Sequence, residues 1–167
     1  MPFYQSRGLV SPKRHTVFKR SAKSIYYEEL VSREGFSSIY SNLYHLRMPT
    51  RVSKVGKLHP FKIKKIGNKH QARHIQTQDI PDKGDIIYDR IPLMFNDDVI
   101  IHKAHITQNM DSFYRNAHFD EVIYIQSGSG QLFTNFGQLE VKAGDYIVIP
   151  RGIIWQLTID DTIRCLV

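Results

Sequence analysis

The chain reads as mainly β, with a double-sheet jelly-roll barrel over residues 91–167 and an N-terminal extension over 1–90 holding a hairpin and a short helix. Three observations predict this. From residue 98 the apolar period turns to two, first along Asp98–Ile106 and then in short runs at Val122–Gln126, Gln131–Phe136, Leu139–Lys142, Tyr146–Ile149, Ile153–Ile159 and Thr162–Val167. Glycines 128, 130, 137, 144 and 152 and several aspartates stand at the joints, where tight turns are needed. No helix-length pattern interrupts the runs, and many short strands at regular spacing argue for a sandwich or barrel.

The extension is patterned differently. Thr16–Lys19 and Ser24–Leu30 flank a polar turn at Arg20–Lys23, which predicts a hairpin. Phe36, Ile39, Tyr40, Leu43 and Tyr44 then fall at i, i+3, i+4, i+7 and i+8, which predicts a short amphipathic helix with an aromatic core face. Arg47–His74 is rich in lysine and arginine, and Pro49, Gly56, Pro60 and Gly67 break any long element. Its basic residues beside His59, Phe61, His70 and His74 have the composition of a nucleic-acid contact, but no recognised motif accompanies them. A solvated lysine-rich connection is the reading adopted, with nucleic acid not expected as a partner.

Composition narrows the class. The 167 residues are 41% hydrophobic and 23% charged, enough for one buried core plus an extension. The net charge of +7 conceals an asymmetry: residues 1–90 hold 18 basic and 7 acidic side chains, and residues 91–167 hold 5 and 9. This suits an anionic partner for the first part, or a basic extension lying against an acidic barrel. No apolar run reaches the roughly 20 residues that span a bilayer, so no membrane partner is expected. Met1–Arg7 lacks an apolar leader core, and the single Cys165 sits in the apolar run Ile163–Val167. A buried structural thiol in a cytoplasmic protein is the expectation.

Two segments carry the informative spacing. Six residues separate Glu121 from Gly128, and five separate Gly144 from Pro150, with Gly152 two positions further on. The pattern resembles the two strand-turn-strand motifs of a cupin. A metal-bearing cupin adds two histidines just before the glutamate and a third shortly after the Pro-x-Gly. Here those positions fall on Tyr114/Asn116 or Arg115/Ala117, and on Trp155, whose indole offers only an N–H donor. Glu121 is the one ligand type that remains.

The wider chain resembles the bacterial-type homogentisate 1,2-dioxygenase family. The resemblance is carried by Met1–Gly8, Pro12–Phe18, Tyr26–Leu30, Glu34–Ser37, Leu43–His45, Pro92–Val99, Phe113–Asn116, Asp120–Val122, Gly128–Gly130 and Gly144–Gly152, and is weakest over 50–80. Members are Fe(II) enzymes that open homogentisate with O2 to maleylacetoacetate in tyrosine and phenylalanine breakdown. The resemblance implies two cupin-type halves, with the iron on two histidines and a glutamate of the second half. It implies that this chain is the metal-free N-terminal portion, inactive alone. No catalytic, cofactor-binding or metal residue is carried over onto it. The implied partners are further copies of the chain or the iron-bearing half. The alternative is a stand-alone degenerate cupin that binds a small acid, a protein or nucleic acid.

The remaining polar residues read structurally. His102 and His105, three apart on one strand, point to opposite faces and do not chelate together. His118 is too close to Glu121 for the ligand position, and His15 and His45 are assigned to packing and hydrogen bonding. Arg115 and Arg151 are expected to pair with Asp120, Glu121 or a partner subunit. Ile163–Val167 is expected to form an unpaired edge that promotes self-association. Elemental analysis of the untagged protein is expected to find no stoichiometric iron; one Fe per chain would overturn the reading of Trp155 and Glu121.

Overall fold

The computed structural model describes residues 18–32, 35, 39–49, 52–57, 63 and 72–167. Two units divide the chain, residues 1–59 and 60–167. The expectations that rest on Met1–Val17, Phe36–Ser38, His59, Phe61 and His70 fall outside the described residues.

In the first unit, β1 (Lys19–Ser21) and β2 (Ser24–Ile25) form a hairpin, with Ser21 opposite Ser24. A second antiparallel pair joins β3 (Tyr27–Ser32) to β4 (Tyr40–His45), from Tyr27 opposite His45 to Ser32 opposite Tyr40. The helix expected around Gly35–His45 is therefore corrected to a strand. Tyr40–His45 satisfies both periods, since Ser41, Leu43 and His45 alternate in burial with Tyr40, Asn42 and Tyr44. The period-two reading is realised because β3 supplies a complete partner ladder. His45 Nε2 lies 2.9 Å from Glu29 Oε2 across it, and Phe18 packs on Tyr44 with ring centroids 4.5 Å apart.

The second unit is built from two antiparallel sheets. Strands β5 (Ile91–Phe95), β6 (Ile100–Ile106), β8 (Glu121–Ser127), β11 (Tyr146–Ile149) and β13 (Ile163–Leu166) form one, in the order β11-β8-β13-β6-β5. Strands β7 (Tyr114–Arg115), β9 (Ser129–Thr134), β10 (Gly137–Lys142) and β12 (Ile154–Ile159) form the other, in the order β10-β9-β12-β7. From β6 to β13 the chain passes back and forth between the sheets, apart from the β9–β10 hairpin, which is the winding of a cupin jelly roll. Each strand from β8 onward overlaps its sequence prediction. Inward residues such as Ile123, Ile125, Leu132, Leu157 and Ile163 are 0–2% exposed. Burying each such side chain contributes on the order of 2 kcal/mol.

One edge expectation is corrected. The run Ile163–Val167 is not an edge: β13 is paired on one side with β6 and on the other with β8. Val167 continues the ladder through hydrogen bonds with His102 in both directions. The buried thiol is as expected, with Cys165 at 0% exposure and its pKa pushed up to about 12, chiefly by burial. The segment before β5 also belongs to this unit. Ile86 is fully buried, Lys83 N–H donates to His105 C=O, and Asp85 Oδ1 accepts from the N–H groups of Ile87 and Tyr88. No helix among the described residues is long and apolar enough to cross a membrane.

Gly130 shows how tightly the second sheet is set. It lies opposite Val141 on β10 and Ile159 on β12, and a Cβ there would run into the Thr158 carbonyl oxygen. Gly137 has φ +127° but open space around the missing side chain. Gly130→Ala is expected to cost about 2 kcal/mol or more in urea unfolding, and Gly137→Ala about 1 kcal/mol. Equal costs would contradict the backbone-contact argument.

Candidate functional site: the ligand positions of the barrel

The positions that hold metal in other cupins come together inside the barrel. Alternation along β8 turns Glu121 inward with Ile123 and Ile125; Glu121 is 6% exposed. Tyr114 on β7 and Trp155 on β12 are direct cross-strand partners. Their rings meet edge to face, with centroids 5.6 Å apart at 84°. Trp155 is 1% exposed and belongs to the hydrophobic core. Two of the ligand positions anticipated from the motif spacing are thus occupied by aromatic packing.

The remaining carboxylate is also engaged. Arg90, immediately before β5, places Nη1 2.9 Å from Glu121 Oε1, and the two side chains are 15% and 6% exposed. A guanidinium therefore supplies the positive charge beside the glutamate. The Tyr114 hydroxyl lies in the same electrostatic neighbourhood; burial raises its pKa first and Glu121 second, while Arg90 opposes them. Glu121 Oε2 and Trp155 Nε1 are buried without hydrogen-bond partners among the described residues. The buried Arg90–Glu121 pair is costly to break, on the order of 3–5 kcal/mol when one partner is removed, because the other charge stays buried.

This donor set does not fit Fe(II). It offers one carboxylate already neutralised by a fixed cation, a phenol and an indole N–H, where iron takes imidazole and carboxylate donors. Among the described residues no three His, Cys, Asp or Glu side chains converge as a metal site.

The other residues singled out from sequence are dispersed. His102 is buried on the inner side of β6 with Arg90 as a charged neighbour, while His105 lies on the outer side, Nδ1 3.2 Å from Asp82 Oδ1. The opposite-face expectation holds. His118 is exposed against Phe119, and Arg151 pairs with Asp120 at 3.4 Å through Nε. Glu121 takes Arg90 and not Arg115. Arg90 was missed because it stands 31 positions before Glu121 and no local pattern marks it.

His102 gives the site a measurable titration. Its pKa is lowered to about 4, mainly by burial and then by Arg90, against 6.5 for a free imidazole. The unfolded chain therefore binds more protons between these values, so the stabilisation is complete above pH 6.5 and is lost as pH falls toward 4. The protein is expected to be about 2 kcal/mol less stable at pH 5 than at pH 7 from this group. His102→Gln should flatten that part of the urea-derived pH profile. An unchanged slope would show that other groups carry it.

Residues 90–167 match the family model described as homogentisate 1,2-dioxygenase N-terminal. A provisionally named dioxygenase of Saccharolobus solfataricus is 42% identical over 163 residues, covering 95% of this chain and 41% of its own length. The homogentisate 1,2-dioxygenase of Bradyrhizobium diazoefficiens is 34% identical over 59 residues, 35% of this chain and 13% of that protein. The chain thus spans less than half the length of these relatives. Among solved structures, a cupin-2 domain protein of Shewanella frigidimarina aligns with a TM-score of 0.43 at 16% identity, over 47% of this chain and 76% of that one. With the motif spacing and the barrel winding in agreement, residues 90–167 match an N-terminal domain of the homogentisate 1,2-dioxygenase type, and nearly the whole chain is similar to a part-length stretch of the Saccharolobus solfataricus protein that it aligns with.

Proposed function

We propose that this chain supplies the non-catalytic half of a homogentisate 1,2-dioxygenase-like protein. In this reading, cleavage of homogentisate to maleylacetoacetate, in tyrosine and phenylalanine catabolism, depends on an iron-bearing C-terminal cupin. The observation that carries it is the Arg90–Glu121 pair beside the Tyr114–Trp155 contact. Together they turn a metal-binding geometry into a packed, charge-neutral interior. The barrel then acts as scaffold: its stability does not depend on a bound ion, and its outer surfaces are available for assembly.

Association with the iron-bearing half or with further copies of the chain is part of the proposal. The exposed face of β8 and β11 supports it, with Val122, Tyr146 and Val148 at 49%, 70% and 66% exposure. The buried lone cysteine suits a reducing cytoplasm.

The test is O2 uptake with homogentisate and added Fe(II), run beside gel filtration. The 167-residue chain is expected to be silent. Co-expression with the C-terminal region of the Saccharolobus solfataricus relative should give a complex that turns over. Turnover by the chain alone, or failure of the two polypeptides to associate, would overturn the assignment.

A further inference from the structure

The barrel has a second polar locus, on the outer side of the five-stranded sheet. Lys103 and His105 stand two residues apart on β6 and so share its outward face, opposite to that of Ala104 and Ile106. The register sets Arg164 of β13 directly opposite His105, and Gln126 of β8 hydrogen-bonds the Lys103 ammonium through Oε1. With residues 74–78 forming the wall, these side chains line a cavity of about 410 Å³.

Lys103 is the unusual member. It is 2% exposed, and among the described residues its one hydrogen-bond partner is a neutral amide oxygen. No described carboxylate makes an ion pair with it. The nearby acid, Asp82, is engaged elsewhere, with both oxygens 3.4 Å from Arg164 Nη2 and Oδ1 3.2 Å from His105 Nδ1. The charge of Asp82 offsets that of Arg164, so the cavity keeps one positive charge, on Lys103. A covered ammonium without a counter-charge is costly, and charge-assisted bonds to an oxyanion relieve that cost. Burial accordingly lowers the Lys103 pKa, with Arg164 pushing the same way.

We propose that this cavity is a binding site for a small organic carboxylate, held by the Lys103 ammonium and the Arg164 guanidinium, with Gln126 and His105 completing its polar lining. A singly charged anion matches the single uncompensated charge. Arg164 is 47% exposed at its side chain, so it can turn its planar fork onto a carboxylate while Lys103 stays fixed. The site lies outside the barrel interior and does not rest on the scaffold reading; absence of binding here would leave that reading untouched.

Isothermal titration of the full chain with acetate, inorganic phosphate and neutral acetamide tests the proposal. Acetate is expected to bind saturably in the millimolar range or tighter, more tightly than phosphate, and acetamide not at all. Lys103→Met should weaken acetate about tenfold or more, and Lys142→Met, on the exposed edge of β10, should leave it unchanged. Arg164→Gln provides an independent variant at an exposed position if Lys103→Met unfolds, and should also weaken acetate. The proposal is overturned if acetate does not bind, if phosphate binds and acetate does not, or if neither Lys103→Met nor Arg164→Gln changes the affinity.

Discussion

The insertion of β13 between β6 and β8 is the constraint on which the barrel depends. It joins β6 to β8, the strand that carries the first motif. Because the side chains alternate, that one register sets two chemistries back to back. Ile163 and Cys165 enter the core beside Ala104 and Ile125, while Arg164 is brought to the outer face against His105. A shift by one residue would exchange the two sets and place a guanidinium in the core. The ladder between Val167 and His102 fixes the register at its end.

Inside the barrel, other contacts occupy the positions that carry metal ligands in a metal-bearing cupin. In a metal-bearing cupin the carboxylate at the Glu121 position shares an ion with imidazoles. Here Arg90 approaches from outside the motifs, and Tyr114 and Trp155 fill the space left by the other ligand positions. The exchange is not symmetrical in energy. A metal site gains its stabilisation on loading, whereas a buried guanidinium–carboxylate pair must offset two desolvation costs by its own geometry and neighbours. His102, held neutral beside Arg90, adds no second positive charge to this interior at neutral pH.

Side-chain oxygens govern the turns that make the winding possible. Asn116 Oδ1 accepts from the N–H groups of His118 and Phe119, and Asn96 Oδ1 does the same for Asp98 and Val99. Asp161 Oδ1 accepts from Ser129 N–H across the sheet change, where Gly128 adopts φ +89°. These local bonds take up backbone donors that the strands leave behind at each corner.

The barrel strands were legible because alternation and turn chemistry are local properties, readable within six or seven residues. Glu121, Gly128, Gly144, Pro150 and Gly152 were legible as a set because their spacing reflects strand lengths that the winding imposes. Tyr40–His45 was misread because its aromatic residues fit both periods, and only the ladder offered by β3 decides between them. Ile163–Val167 was misread as an edge because pairing on both sides comes from strands distant in the chain. The same holds for Arg90 with Glu121, and for Lys103 with Gln126, Arg164 and Asp82. Periodicity tells which face a side chain takes, but the neighbour it meets there is chosen by strand order and register, which exist only once the sheets have formed.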